Sequence, residues 1–262
     1  MSGQADAKPF KSNKRNAPVQ SEAVKGLGRL RNAAILSFAT SLLSLPSLGL
    51  FGGPESLAED PFALLAALIW VLVFGLAILA LGVAAWVFKV LGWWSMCRSG
   101  MRRFYCATRL AVLLGPVIGV ALLIVGGAAL LLEALRSGAR VGGGPSPLPE
   151  ESMLAYVLPG LLVMAVANVV EGVSALDVGL ITEVKALALG AAIYLVASQL
   201  QPVQLLASAF NSAALLGGAR SWWSWASSAA SLLSSLLLAV GFHQAKGKVV
   251  RSEAQREAAG TA

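Results

Sequence analysis

"GWWSMCRSGMRRFYCATRLAV", residues 92–112, holds two tryptophans, four arginines, two cysteines and a tyrosine between two long apolar runs. Taken alone, it resembles a nucleic-acid patch or a metal or redox site. Its flanks decide otherwise. On both sides lie uncharged blocks of Leu, Ala, Val and Gly, long enough to cross a hydrocarbon core about 30 Å thick. The stretch therefore reads as a loop between two membrane spans. Its arginines Arg98, Arg102, Arg103 and Arg109 are expected at lipid headgroups, and Trp93 and Trp94 in the interfacial aromatic belt. Cys97 and Cys106 form no CxxC pair and have no histidine nearby, so this loop lacks the four ligands of a closed zinc site. On a cytoplasmic face they read as free thiols, unless the host is a hyperthermophile that forms intracellular disulfides.

Composition agrees with a membrane protein. Of 262 residues, 57% are hydrophobic and 13% charged, against roughly 25% charged in an ordinary soluble domain. The net charge of +7 would suggest nucleic acid in a soluble chain. Here it is the signature of basic cytoplasmic loops, and no nucleic-acid partner is expected.

Six spans are predicted, over about 32–51, 62–91, 110–132, 153–170, 178–200 and 223–242. Pro46, Pro116 and Pro159 lie inside them, where neighbouring helices can satisfy the freed carbonyls. Residues 1–21 are too polar and basic to fold alone and read as a disordered tail. The next run, "NAAILSFATSLLSLPSLGLF", is too long for a signal-peptide core and reads as an uncleaved first span. Residues 22–31 read as an interfacial lead-in, with Lys25, Arg29 and Arg31 facing phosphates. The bundle thus occupies 22–243, and 244–262 form a second tail.

Lys and Arg counts set the direction. The first 31 residues carry seven, the loop "GGPESLAEDP" none, the segment 89–109 five, 133–152 two, the fourth connection one (Lys185), and the tail after His243 four. This alternation predicts both termini in the cytoplasm and an even number of spans. The chain is expected in the cell membrane as a multi-pass protein.

Residues 199–225 are irregular. "VQLLASAFNSAALLGG", 203–218, is marginal for a crossing, and a seventh span would place the basic tail outside. It reads as an external interfacial helix, with a re-entrant segment as the alternative. Gln199, Gln201 and Gln204 surround Pro202, and a broken polar element of this kind can form a transporter's binding site.

Catalytic constellations are absent from the sequence. His243 is the only histidine, and no HExxH, GxSxG, P-loop or GxGxxG occurs. No enzyme activity and no cofactor or metal is expected. Ser224, Ser228, Ser231 and Ser235 recur at helical spacing, as do Gly115 and Gly119 in "GPVIG"; both sets read as helix-packing stripes. Glu171, Asp177 and Glu183 lie in "EGVSALDVGLITEVKA". Six positions turn a helix by about 240°, so the three do not share a face. Val173, Leu176, Leu180 and Val184 do, which reads as an amphipathic connector with solvated acids. A proton or cation relay is the alternative, because ionisable groups inside a bilayer are functional candidates.

"VKGLGRLRNAAIL" before the first span and "CRSGMRRF" after the second together resemble a group of archaeal multi-span membrane proteins of unknown function. Gly26 to Arg31 and Arg98 to Phe104 carry the resemblance. It implies a polytopic membrane fold and no particular activity.

The function these features suggest is a non-enzymatic scaffold or accessory subunit that contacts lipids and either self-associates or joins other membrane subunits. The alternative is a small transporter or translocation-channel subunit using Gln199, Gln201, Gln204 and the acids Glu171 and Asp177.

Overall fold

A backbone in lipid has no water to bond, so each apolar block must pair its N–H and C=O groups internally and becomes helical. The computed structural model describes residues 16–44, 61–138, 150–209 and 219–260, and its six elements are all α-helices. They are α1 (Asn16–Ser44), α2 (Pro61–Arg98), α3 (Phe104–Gly138), α4 (Glu150–Ile181), α5 (Lys185–Ala209) and α6 (Ala219–Gly260). Four stretches are long and apolar enough to cross a membrane: Leu72–Arg98, Phe104–Glu133, Ala155–Ile181 and Trp225–Gln255. Lys185–Leu200 is a shorter apolar helix. The all-α architecture is consistent with an integral membrane protein.

Each helix packs antiparallel on the next, and α6 returns to α1, so the six close into a ring. Small residues set the approach, as expected where lipid removes the usual hydrophobic drive between helices. Gly119 of α3 meets Met164 and the Gly160 carbonyl of α4, and Gly241 of α6 lies on Leu187 of α5. A Cβ at either glycine would collide. Large apolar side chains such as Leu79, Ile124 and Val196 point outward and stay exposed, as a lipid-facing surface requires. The buried core lies at one end, where the first turns of α1, the α2–α3 turn, the α4–α5 turn and the later part of α6 meet. There Leu27, Trp93, Met96, Tyr105, Leu187 and Phe242 pack together.

Both turns at this end are short. α2 stops at Arg98 because Gly100 takes a left-handed conformation, φ 68°, which glycine adopts without steric cost. α4 stops through Glu183, φ 54°, a conformation costing a non-glycine residue about 1 kcal/mol. The Val184 N–H bonds back to the Gly179 carbonyl at 2.9 Å. Lys248 of α6 donates to the Thr182 and Glu183 carbonyls at 2.9 and 3.1 Å.

The helices depart from the predicted spans at several points. α1 begins at Asn16, inside the stretch 1–21 read as disordered, and is described only to Ser44 of the span expected to reach Phe51. α2 continues to Arg98, so Lys89 stands within a helix and not in a loop. α4 continues to Ile181, and α5 starts at Lys185 instead of 178. The connector read as amphipathic is thus the end of α4 plus a turn. α5 passes through Pro202 to Ala209 without a break, so 203–209 are not a separate interfacial element; residues 210–218 lie outside the described residues. α6 continues through the second tail to Gly260.

Cys97 and Cys106 form a disulfide, with Cα atoms 4.7 Å apart. Reading them as free thiols is corrected. The five residues 99–103 fold the end of α2 onto the start of α3 and bring the two side chains together.

Candidate functional site

Lys89 interrupts an apolar run of α2 on the face shared by Trp86 and Trp93, which packs inward. Glu171 lies on the small inner face of α4, between the buried Ala167 and Ala175. The ring geometry sets them opposite each other, and Lys89 Nζ donates to Glu171 Oε2 at 3.0 Å. Tyr194 of α5 closes the cluster. Its hydroxyl lies 2.9 Å from the same Oε2 and 3.3 Å from Asn168 Oδ1. The ammonium stands 5.2 Å from the Tyr194 ring centroid. The Glu171 side chain is 12% exposed, which corrects its reading as a solvated connector acid. At 1.5 Å per residue, Lys89, Glu171 and Tyr194 each stand about 14 Å from the turn ends of their helices.

A cavity of about 260 Å³ adjoins the pair, bounded by α1, α2, α3 and α4. Ser37, Thr40, Ser41 and Asn168 give it polar groups beside Lys89 and Glu171, while Trp86 and Pro116 are among its apolar walls. The Trp86 indole N–H donates to the Val112 carbonyl at 2.8 Å, fixing that wall. A smaller space of about 40 Å³ lies on the other side of the pair, against Trp93, Ser235 and Phe242. The cluster combines a carboxylate, an ammonium and a phenol within hydrogen-bond reach. Such a set can hold a small polar solute or ion, or pass a proton between oxygen atoms.

Asp177 belongs to a different group nearer the turn end. It accepts from the buried Tyr105 hydroxyl at 2.9 Å, and Arg102 Nε stands 3.8 Å away. Thr108 and Ser174 share a buried hydrogen bond of 2.5 Å beside it. Glu171 and Asp177 thus face different partners, as their spacing requires. Gln199 reaches the Ala165 carbonyl of α4 at 3.4 Å and the Ser198 hydroxyl at 3.2 Å, away from the Lys89–Glu171 pair; the side chains of Gln201 and Gln204 lie outside the described residues.

The headgroup-anchoring set divides. Trp93 is 0% exposed and packs on Tyr105 with ring centroids 5.7 Å apart, so it is a core residue and not part of a lipid-facing belt. Trp94 lies between two guanidinium groups, Arg109 at 4.0 Å and Arg98 at 5.4 Å. Arg102 and Arg103 are exposed. Of the lead-in cations expected at phosphates, Arg29 instead bonds Ser95 Oγ at 2.7 Å on α2. Lys25 pairs with Glu22 at 3.0 Å, and this hydrogen bond holds the Glu22 carboxyl below its usual range.

The packing stripes also divide. Gly115 and Gly119 of α3 both pack against α4, at Ala167 and Met164. On α6 the buried serines are Ser227, Ser234 and Ser235, while Ser228 and Ser231 are only half-buried; the side chain of Ser224 lies outside the described residues. The packed face is thus turned about one residue from the expected one.

Lys89 and Tyr194 were missed from the sequence as site residues. A lone cation on the same helical face as two core tryptophans is the signal that marks Lys89. Among the described residues, no group of three or more His, Cys, Asp or Glu side chains is placed to hold a metal ion. No protein-family model, curated protein or solved structure matches the chain.

Proposed function

We propose that the chain is a multi-pass protein of the cell membrane, with six spans and both termini in the cytoplasm, that serves as a small transporter or translocation-channel subunit. One observation carries the reading: the Lys89–Glu171–Tyr194 cluster beside a cavity inside a ring of apolar helices. With the turn ends at the membrane surface, a depth of about 14 Å puts the cluster near the middle of a 30 Å hydrocarbon layer. Charges at that depth are costly and mark solute or proton paths. The site differs from the one expected around Gln199–Gln204 and keeps Glu171 as its acid.

The orientation rests on charge. Lys and Arg are dense in the first turns of α1, in the α2–α3 turn and in the later part of α6, which share one end of the ring. A disulfide at that end fits a cytoplasm in which such bonds persist, as in hyperthermophiles.

The scaffold or accessory-subunit reading retains one observation. Leu72, Leu76 and Leu79 of α2 are largely exposed, and in that reading a second copy or another subunit covers them. The glycine stripes no longer argue for it, because Gly115 and Gly119 are used within the ring.

Purified protein in vesicles loaded with a pH-sensitive dye tests transport. A proton flux driven by a potassium-diffusion potential, lost in Glu171→Gln, is expected. Equal flux in vesicles with and without protein would set the proton case aside, and crosslinking to a stable dimer or partner through α2 would then favour the scaffold.

A further inference from the structure

A second cavity, of about 430 Å³, opens at the turn end between the α4–α5 turn and α6. Its lining carries Lys185, Lys248 and Arg251 against one carboxylate, Glu183, together with His243. Arg31 Nη1 stands 3.4 Å from His243 Nδ1. Lys248 spends two of its three N–H groups on the Thr182 and Glu183 carbonyls, which fixes the ammonium in place and leaves one donor. Gly247 contributes no side chain, and a Cβ there would meet nothing within 4 Å, so the floor stays open.

We propose that this cavity is a binding site for the phosphate of an anionic membrane lipid. Two or three cations converging on a pocket with one opposing acid match a phosphodiester. Basic pockets between helices at the membrane surface take such headgroups. Position selects a lipid over a free anion. The cavity sits where α6 changes from apolar to polar, just after Phe242. On α6, Gln244, Gly247 and Arg251 share a helical face with Val240, Leu236 and Leu233, all exposed. On α5, Lys185 shares a face with Leu189 and Val196, also exposed. Two apolar tracks therefore run from the headgroup site along the lipid-facing surface, where acyl chains would lie.

The test uses full-length protein stripped of lipid in a non-ionic detergent, with bound lipid counted by native mass spectrometry. Phosphatidylglycerol is expected to be retained and phosphatidylcholine not. The double variant Lys185→Gln/Arg251→Gln should bind phosphatidylglycerol about tenfold or more weakly. Gly247→Leu fills the cavity from an exposed position and should abolish retention without unfolding the chain, even if the charge variant proves unstable. Millimolar inorganic phosphate should not displace the lipid. Equal retention of the two lipids, or undiminished binding in Gly247→Leu, would overturn the proposal. Displacement by inorganic phosphate would overturn the lipid assignment and make the cavity a free-anion site.

Discussion

Glu171 of α4 and Lys89 of α2 form an ion pair at 3.0 Å across the helix ring, with the Tyr194 hydroxyl 2.9 Å from the same carboxylate oxygen. Among the described residues neither side chain has another oppositely charged group at ion-pair distance, so each is the other's counter-charge in a poorly solvated place. Removing one partner of a buried pair typically costs about 3–5 kcal/mol, because the survivor is stranded. Glu171→Gln and Lys89→Met should each lower thermal stability in detergent sharply. The double variant should recover much of the loss, since two neutral side chains leave no bare charge. Strictly additive losses would show that the two groups do not act as a pair.

Close packing through glycine gives a second expectation. Gly119→Leu drives a side chain into Met164 and the Gly160 carbonyl, and overpacking of this kind costs about 1–3 kcal/mol. Gly127, on the same helix, has nothing within 4 Å of a Cβ position, so Gly127→Leu should be nearly neutral. Melting temperatures of the two variants provide the comparison. Equal effects would mean that α3 and α4 do not approach at Gly119.

What the sequence concealed follows from how hydropathy treats charge. Each of the six predicted spans overlaps one of the six helices, because a long apolar segment in lipid must satisfy its backbone internally and a helix does so within one segment. A block, however, is read as ending at its first charge. Lys89 and Glu171 therefore fell into loops on either side of the site they build, and a salt bridge between helices distant in sequence leaves no local pattern. Trp93 followed the same logic. A tryptophan at the end of an apolar run looks interfacial, and only the arrival of Tyr105 from α3 buries it. Pro202 reads as a breaker, yet a helix tolerates the missing N–H when neighbouring groups satisfy the freed carbonyl. The glycines at 115 and 119 were legible because their meaning, close approach, does not depend on which helix arrives.

The disulfide makes a prediction that also reports orientation. Denatured protein should gain no thiol-reactive polymer before reduction and two additions after it, since Cys97 and Cys106 are paired. One or two additions without reduction would mean free thiols. In intact cells treated with a permeant reductant, an impermeant thiol reagent added outside should still fail to label them. Labelling from outside would place the turn end, with the first turns of α1 and the later part of α6, on the external face.

Water should reach the polar cluster inside the membrane ring through the cavity bounded by α1 to α4. Thr40 lines that cavity close to the Lys89–Glu171 pair, and the native cysteines are already paired, so Thr40→Cys adds a single reactive thiol. Its reaction with a small charged methanethiosulfonate is measured in protein reconstituted into vesicles, with Leu79→Cys on the exposed apolar surface as the lipid-facing control. Thr40→Cys should react at a rate approaching that of an exposed thiol while Leu79→Cys stays protected. Protection of Thr40→Cys equal to that of Leu79→Cys would mean that the cavity is closed to water and that no solute path leads to the cluster.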